Sequence, residues 1–352
     1  MTIIMKVQEK ILKIMAEHPT FIIAEAGSNH NGDVTQAVKL IRAAADAGAD
    51  AVKFQTFTAG QLTTKSGPSA SYQIKNTKIK SQWQLLRSIE LDYKWYNKLV
   101  KLAKKLGIIF LSTPHGYIES VNFLKDKVPA WKTGSGDLTN LPLLKYLGES
   151  GKPIILSTGM ATVAETREAV KTIEKTGNRK ITILHCTTNY PCPPEEANVA
   201  AIMDLKKNFP RYRIGFSDHT LGMTAAIMAV AYGAAAVEKH LTLDRNLPGP
   251  DQKNSLEPDE FKQMVKQIRL AEVLRGSGKK RPFPSELIIA QMARKAVIAA
   301  VDITKGTKIT AAMLTIKRPA KGGLAPKMLD NIVGKTAKRS IKADSQLKKG
   351  DF

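Results

Sequence analysis

Residues 214–220 read IGFSDHT and residues 235–244 read AAVEKHLTLD, with an apolar helical run from Thr224 to Ala231 between them. Each flanking stretch begins apolar and ends polar, as a parallel strand does when it is buried on both faces and its C-terminal end opens onto a site. Side chains alternate along a strand, so Ser217 shares a face with His219, and Glu238 shares one with His240. If the two strands are neighbours in a closed barrel, both faces point inward and their polar ends meet at one rim. Two imidazoles and a carboxylate at such a rim can hold a divalent cation with coordination positions left open. Either histidine taken singly reads more readily as a half-buried structural residue; the pair with matched polar neighbours is what points to a site.

Working outward, the same pattern recurs. Strands are expected at Phe21–Gly27, Ala51–Thr56, Ile108–Pro114, Ala130–Gly136, Pro153–Gly159 and Ile181–Thr187. Helical periodicity separates them, among others at Tyr93–Gly107, Thr162–Thr176 and Asn198–Phe209, and closes with Pro258–Arg275. Eight βα units predict an α/β fold, a (β/α)8 TIM barrel, with the active site at the C-terminal rim of the strands. The polar residues at that rim are Glu25, Lys53, Gln55, Thr113, Lys132, Ser135, Ser157, Thr188, Ser217, His219, Glu238 and His240. Lysines and hydroxyls around one mouth suit a phosphorylated or carboxylated anion. A single Ser or Thr there can equally be capping a strand, whereas an unpaired lysine in a barrel strand is costly. A polar insertion from Phe57 to Leu91 leaves the C-terminal end of the second strand, where a long excursion is expected to be a functional lid.

After Arg275, the sequence Gly-Ser-Gly-Lys-Lys-Arg-Pro-Phe-Pro reads as a linker. The expected organisation is a catalytic barrel over 1–276, a linker over 277–289, and a small β-rich domain over 290–352. Residues 281–352 carry 15 Lys+Arg and 5 Asp+Glu, a local charge of +10.

The chain has 352 residues and a formal net charge of +23, from 54 Lys+Arg against 31 Asp+Glu. That excess raises nucleic-acid binding, but the basic residues are scattered, with no arginine-rich tract and no interleaved aromatics. An anionic small substrate accounts for it as well. No apolar run reaches the roughly 18 residues that would span a bilayer. The opening MTIIMKVQEKILKIMAEHP is a short amphipathic pattern rather than a signal peptide. Cys186 and Cys192 match no metal or redox spacing and read as reduced thiols, which together predict a cytoplasmic protein.

The ordered motifs AEAGSNHNGD, AVKFQTF, YQIKNT, LSTP, KTGSGDLTNLPLL, ILSTGM, TTNYP, FSDHT and EKHLTLD resemble those of the sialic acid (N-acetylneuraminate) synthase family. ITKGTKIT and KRP near the C-terminus resemble that family's antifreeze-like (SAF) domain. The resemblance spans nearly all of the chain after residue 20. It implies condensation of phosphoenolpyruvate with an open-chain N-acetylated hexose such as N-acetylmannosamine, giving N-acetylneuraminate and phosphate. It implies a divalent metal, usually manganese, on His219 and His240. It places phosphoenolpyruvate at Lys53, Thr113, Lys132, Ser135, Ser157, Thr188 and Ser217, and the sugar at Gln55, Tyr190, Glu238 and Asp251. Glu25 matches the carboxylate that handles a proton or water. Arg318 matches an arginine that reaches the sugar from a partner subunit's SAF domain, in a domain-swapped homodimer. Three positions depart from the family pattern: His115-Gly116, Gln252 and Thr188. Alternatives within the family are a legionaminate or pseudaminate synthase or a spore-coat polysaccharide homologue. Outside it stands a non-catalytic basic scaffold or nucleic-acid-binding barrel, against which the paired histidines and rim lysines argue.

Overall fold

The computed structural model describes residues 20–319 and 322–352, so the amphipathic lead before Thr20 lies outside the described residues. The chain divides into two compact units, Met1–Gly276 and Ser277–Phe352.

The first unit is built on eight parallel strands: β1 (Phe21–Gly27), β2 (Ala51–Thr56), β3 (Ile109–Pro114), β4 (Trp131–Thr133), β5 (Ile154–Ser157), β6 (Ile181–His185), β7 (Arg213–Asp218) and β8 (Ala236–His240). They are ordered β3-β2-β1-β8-β7-β6-β5-β4, a nearly closed barrel in which β3 and β4 also lie side by side. The expected strands at 130–136, 153–159 and 181–187 are each shorter. After Thr133 the chain leaves the ladder and turns into a 3-10 turn at Ser135–Asp137, which frees backbone and hydroxyl groups at the rim.

Strand alternation explains the layering. Phe21, Ile23, Ala51, Ile109, Leu111, Ala130, Ile155, Leu184 and Ala236 fill the lower barrel interior. The next inward positions are Glu25, Lys53, Lys132, Ser157, Ser217 and Glu238, so the interior changes from apolar to polar within one pleat. The outward positions, among them Ile22, Val52, Phe54, Trp131, Phe216 and Val237, pack against the helices in a larger core. Local signals start those helices. Asp33 accepts from the Thr35 backbone N–H, and Thr162 and Glu165 cap Val163–Glu174 reciprocally.

The insertion after β2 folds as short helices at Ala59–Leu62, Ser71–Thr77 and Gln82–Ile89. Its own small core joins Phe57, Ala59, Leu86 and Ile89.

In the second unit, β9 (Ala296–Ala299) and β10 (Leu314–Lys317) pair antiparallel, over a core that includes Val297, Ile303, Ile309, Ile341 and Leu347. Where composition predicts a linker, a helix runs from Pro284 to Ala293. Pro284 at its first turn and Glu286 bonding back to the Phe283 N–H outweigh the Gly-Ser-Gly signal seven residues earlier.

Candidate active site at the barrel rim

The inward residues at the C-terminal ends of the strands surround a cavity of about 330 Å³. Glu25, Lys53, Gln55, Lys132, Ser135, Ser157, Thr188, Tyr190, Ser217, His219, Glu238, His240 and Asp251 all line it. Thr113 stands just behind, its hydroxyl 3.1 Å from Lys53 Nζ. Arg318 belongs to the second unit, where it is exposed.

The two lysines are not unpaired, as their surroundings in the sequence suggest, because carboxylates from other strands reach them. Lys53 Nζ lies 2.9 Å from Glu25 Oε2 and 3.7 Å from Glu238 Oε2. Lys132 Nζ lies 3.4 Å from Glu238 Oε1 and donates to Ser157 Oγ at 2.7 Å. Burial disfavours the Lys53 cation, but Glu238 and Glu25 outweigh it and hold its pKa above the ordinary value. For Lys132 burial wins and the pKa falls. Glu238 is opposed by burial, yet Lys132, Lys53 and the Ser217 hydroxyl at 3.0 Å hold its carboxyl down to about 2.

A bulge in β1 between Glu25 and Gly27 aims Glu25 at the cavity. Gln55 Nε2 donates to Glu25 Oε1 at 3.0 Å. Gly27 has φ +41°, and a Cβ there would come within 2.7 Å of Glu25 Oε1, so only glycine leaves the carboxylate this position. On the opposite wall Ser135 Oγ accepts from the Gly159 N–H at 3.1 Å. A Cβ at Gly159 would sit 2.0 Å from Thr188 Oγ1, whose hydroxyl is buried without a partner. A donor cradle with an unsatisfied hydroxyl is suited to an anion's oxygens.

The imidazoles of His219 and His240 stand 5.7 Å apart between ring centroids. His219 Nδ1 lies 2.7 Å from Thr187 O, which leaves Nε2 for the cavity. Burial, with His240 and Lys132 nearby, lowers the His219 pKa to about 3, so the ring is neutral. His240 Nδ1 is buried with no partner. His219 Nε2, 3.5 Å from the Ser217 hydroxyl, and the unpartnered His240 Nδ1 are the nitrogens that would hold a divalent ion. Among the described residues no third His, Cys, Asp or Glu completes a cluster around them. His30, by contrast, is stacked 5.9 Å from Phe54 and accepts from the Gly32 N–H, a structural histidine. His185 bonds to Ala197 O.

Several lining residues escaped the sequence reading. Ser28, within AEAGSNHNGD, donates to Asp251 Oδ2 at 3.0 Å. Tyr72, from the YQIKNT helix of the insertion, stacks 5.2 Å from Tyr190, which in turn packs 4.2 Å from His219. Burial and Asp251 raise the Tyr190 pKa. Gln73 and Gln82 also come from the insertion, and His115, one of the departing positions, lines the wall with Nδ1 3.5 Å from Asp137. The motif strings contain most of these residues, but only the tertiary arrangement picks out which of them face inward. Gln252 does not line the cavity; it is buried and ties Asn29 O to the Thr242 hydroxyl.

The NeuB family matches residues 40–280 and the SAF domain residues 294–352. The N,N'-diacetyllegionaminic acid synthase of Campylobacter jejuni is 44% identical over 94% of this chain and 99% of its own length. The human N-acetylneuraminate-9-phosphate synthase is 36% identical over 94% of this chain and 92% of its own. A solved N-acetylneuraminic acid synthetase from Leptospira borgpetersenii, in complex with citrate, superposes with TM-score 0.70 and 35% identity, covering 77% of this chain and 90% of that one. The chain belongs to the NeuB family, with a C-terminal SAF domain, and is an enzyme of the sialic acid synthase type, a transferase.

Proposed function

We propose that this chain condenses phosphoenolpyruvate with an open-chain acetamido hexose, N-acetylmannosamine or a close relative, to a nine-carbon 2-keto acid and phosphate. The observation that carries the reading is the charge of the cavity. Two lysines, Lys53 and Lys132, face three carboxylates, Glu25, Glu238 and Asp251, a balance of −1. A divalent cation at His219 and His240 turns that to +1, which suits a phosphate-bearing carboxylate substrate.

Manganese is the proposed ion, and when bound it supplies Lewis acidity toward the acceptor's aldehyde. Lys53, Lys132 and the hydroxyls of Ser135, Ser157 and Thr188 hold phosphoenolpyruvate, with Thr113 orienting Lys53. Its methylene carbon attacks the aldehyde carbon, leaving cationic character at the carbon that bears the phosphate; the former aldehyde oxygen receives one proton of the water that adds there, and the other leaves with phosphate. Glu25, held by Lys53 and Gln55, takes a proton from the water that adds there. Phosphate then leaves by carbon–oxygen cleavage. Gln55, Tyr190, Glu238 and Asp251 position the sugar, and Ser217 fixes Glu238.

The higher identity to the legionaminic acid synthase supports a second reading of the acceptor, a diacetamido sugar. We further propose a cytoplasmic homodimer that binds no nucleic acid, with Arg318 completing the partner's sugar pocket. Leu287, Ile288, Ile289 and Met292 of the Pro284–Ala293 helix are exposed apolar residues that a second copy would cover. No described helix is long and apolar enough to cross a membrane. The test is phosphate release from phosphoenolpyruvate over a panel of acetamido sugars with and without manganese. Release that needs both sugar and metal supports the reading, and the preferred sugar selects between the two acceptors. Release that is indifferent to the sugar refutes it.

A further inference from the structure

Two residues inside the motifs that frame the site have no part in the cavity: Asp218, between Ser217 and His219, and Lys239, between Glu238 and His240. Alternation turns both outward, into the apolar layer between barrel and helices. There they are register partners on β7 and β8. Their side chains are wholly buried, with Lys239 Nζ 2.9 Å from Asp218 Oδ2. Asp218 Oδ1 accepts from the Thr220 backbone N–H at 2.9 Å and from the Thr220 hydroxyl at 2.7 Å. Lys239 Nζ also donates to Thr220 O. The knot therefore grips the chain on both sides of His219 and the residue just before His240.

An ion pair this deep is an inefficient way to gain stability, because desolvation cancels most of the Coulomb attraction. Apolar side chains of similar volume would hold the layer together as well. What the pair adds is direction: charges with defined hydrogen bonds allow one register, whereas apolar contacts tolerate sliding. Direction matters at this point. His240 Nδ1 has no hydrogen-bond partner, so beyond the edge contact with Tyr190 at 5.8 Å its ring is aimed by where β8 ends between β7 and β1.

We propose that Asp218, Lys239 and Thr220 are positioning residues, a fastener that sets the separation and aim of the His219 and His240 rings and hence their affinity for a divalent ion. The inference rests on the metal reading above, and its test separates the two. Manganese binding to the full purified chain is measured by loss of the free-ion electron paramagnetic resonance signal, alongside the thermal midpoint. In Asp218→Leu/Lys239→Met the volume is kept and the pair removed. The dissociation constant is expected to rise at least tenfold, with a midpoint close to that of the unaltered protein. The comparison variant, Asp50→Asn/Arg269→Met, removes a 2.9 Å ion pair at the other end of the barrel. It should lower the midpoint and leave manganese affinity unchanged. If the first double variant does not fold, Thr220→Val, which deletes only a hydroxyl, is expected to weaken binding about threefold. Unchanged affinity in the folded variant overturns the fastener, and so does an equal loss in the Asp50/Arg269 variant, since affinity would then track general stability. Absence of saturable binding by the unaltered chain, or binding that survives His240→Ala, overturns the metal reading itself.

Discussion

Replacing Glu238 by Gln keeps the shape of the side chain and its approach to Ser217 while removing the charge that lies between two buried lysines. Glu238 Oε1 is 3.4 Å from Lys132 Nζ and Oε2 is 3.7 Å from Lys53 Nζ. Holding its carboxyl at about 2 instead of the ordinary 4.5 corresponds to about 3 kcal/mol, at about 1.4 kcal/mol per tenfold change. The group is buried, so solvent screening takes little away, and the figure agrees with the roughly 3–5 kcal/mol lost when one partner of a buried pair is deleted. The folded-state pKa is depressed, so the contribution is fully present above pH 4.5 and is lost as pH falls from there towards 2. Urea denaturation of both proteins, followed through the barrel's transition across that range, should show a gap of about 3 kcal/mol at neutral pH that closes in acid. Inorganic phosphate should also stabilise the variant more than the parent, because Lys132 loses the carboxylate beside it while Lys53 keeps Glu25. A variant as stable as the parent at pH 7, or a gap that acid does not narrow, refutes the reasoning.

Three further outcomes are expected. His219→Ala and His240→Ala should each keep less than about a tenth of manganese-dependent turnover and lose manganese binding, because one remaining imidazole makes a poor site; the resonance assay reads the second effect directly. Lys53→Ala and Lys132→Ala should raise the KM for phosphoenolpyruvate roughly ten- to hundredfold, the worth of a charge-assisted hydrogen bond, and a change confined to the sugar KM would reverse the assignment of the two subsites. Mixing Arg318→Ala with His240→Ala chains should restore activity through hybrid dimers that hold one intact barrel and one intact tail; verified subunit exchange without recovery would mean that Arg318 acts within its own chain or not at all.

The sequence by itself determined the barrel and most of its rim. Period-two alternation, apolar below and polar above, is a local property of each strand, and it repeats at β1, β2 and β7 with boundaries that agree to a residue or two, and at β8, which ends four residues before the expected stretch does. His219, His240, Lys53 and Lys132 were legible because a polar side chain at an inward strand end has few other reasons to be there. Partnership was decided only in three dimensions. Glu238 neutralises lysines 106 and 185 positions away in the chain, and Ser28 holds Asp251 across the barrel's closure. The insertion's Tyr72 reaches His219 through Tyr190. Local pattern reports which way a side chain points relative to its own strand. The electrostatic environment depends on which strands become neighbours, and that is set by closing the barrel.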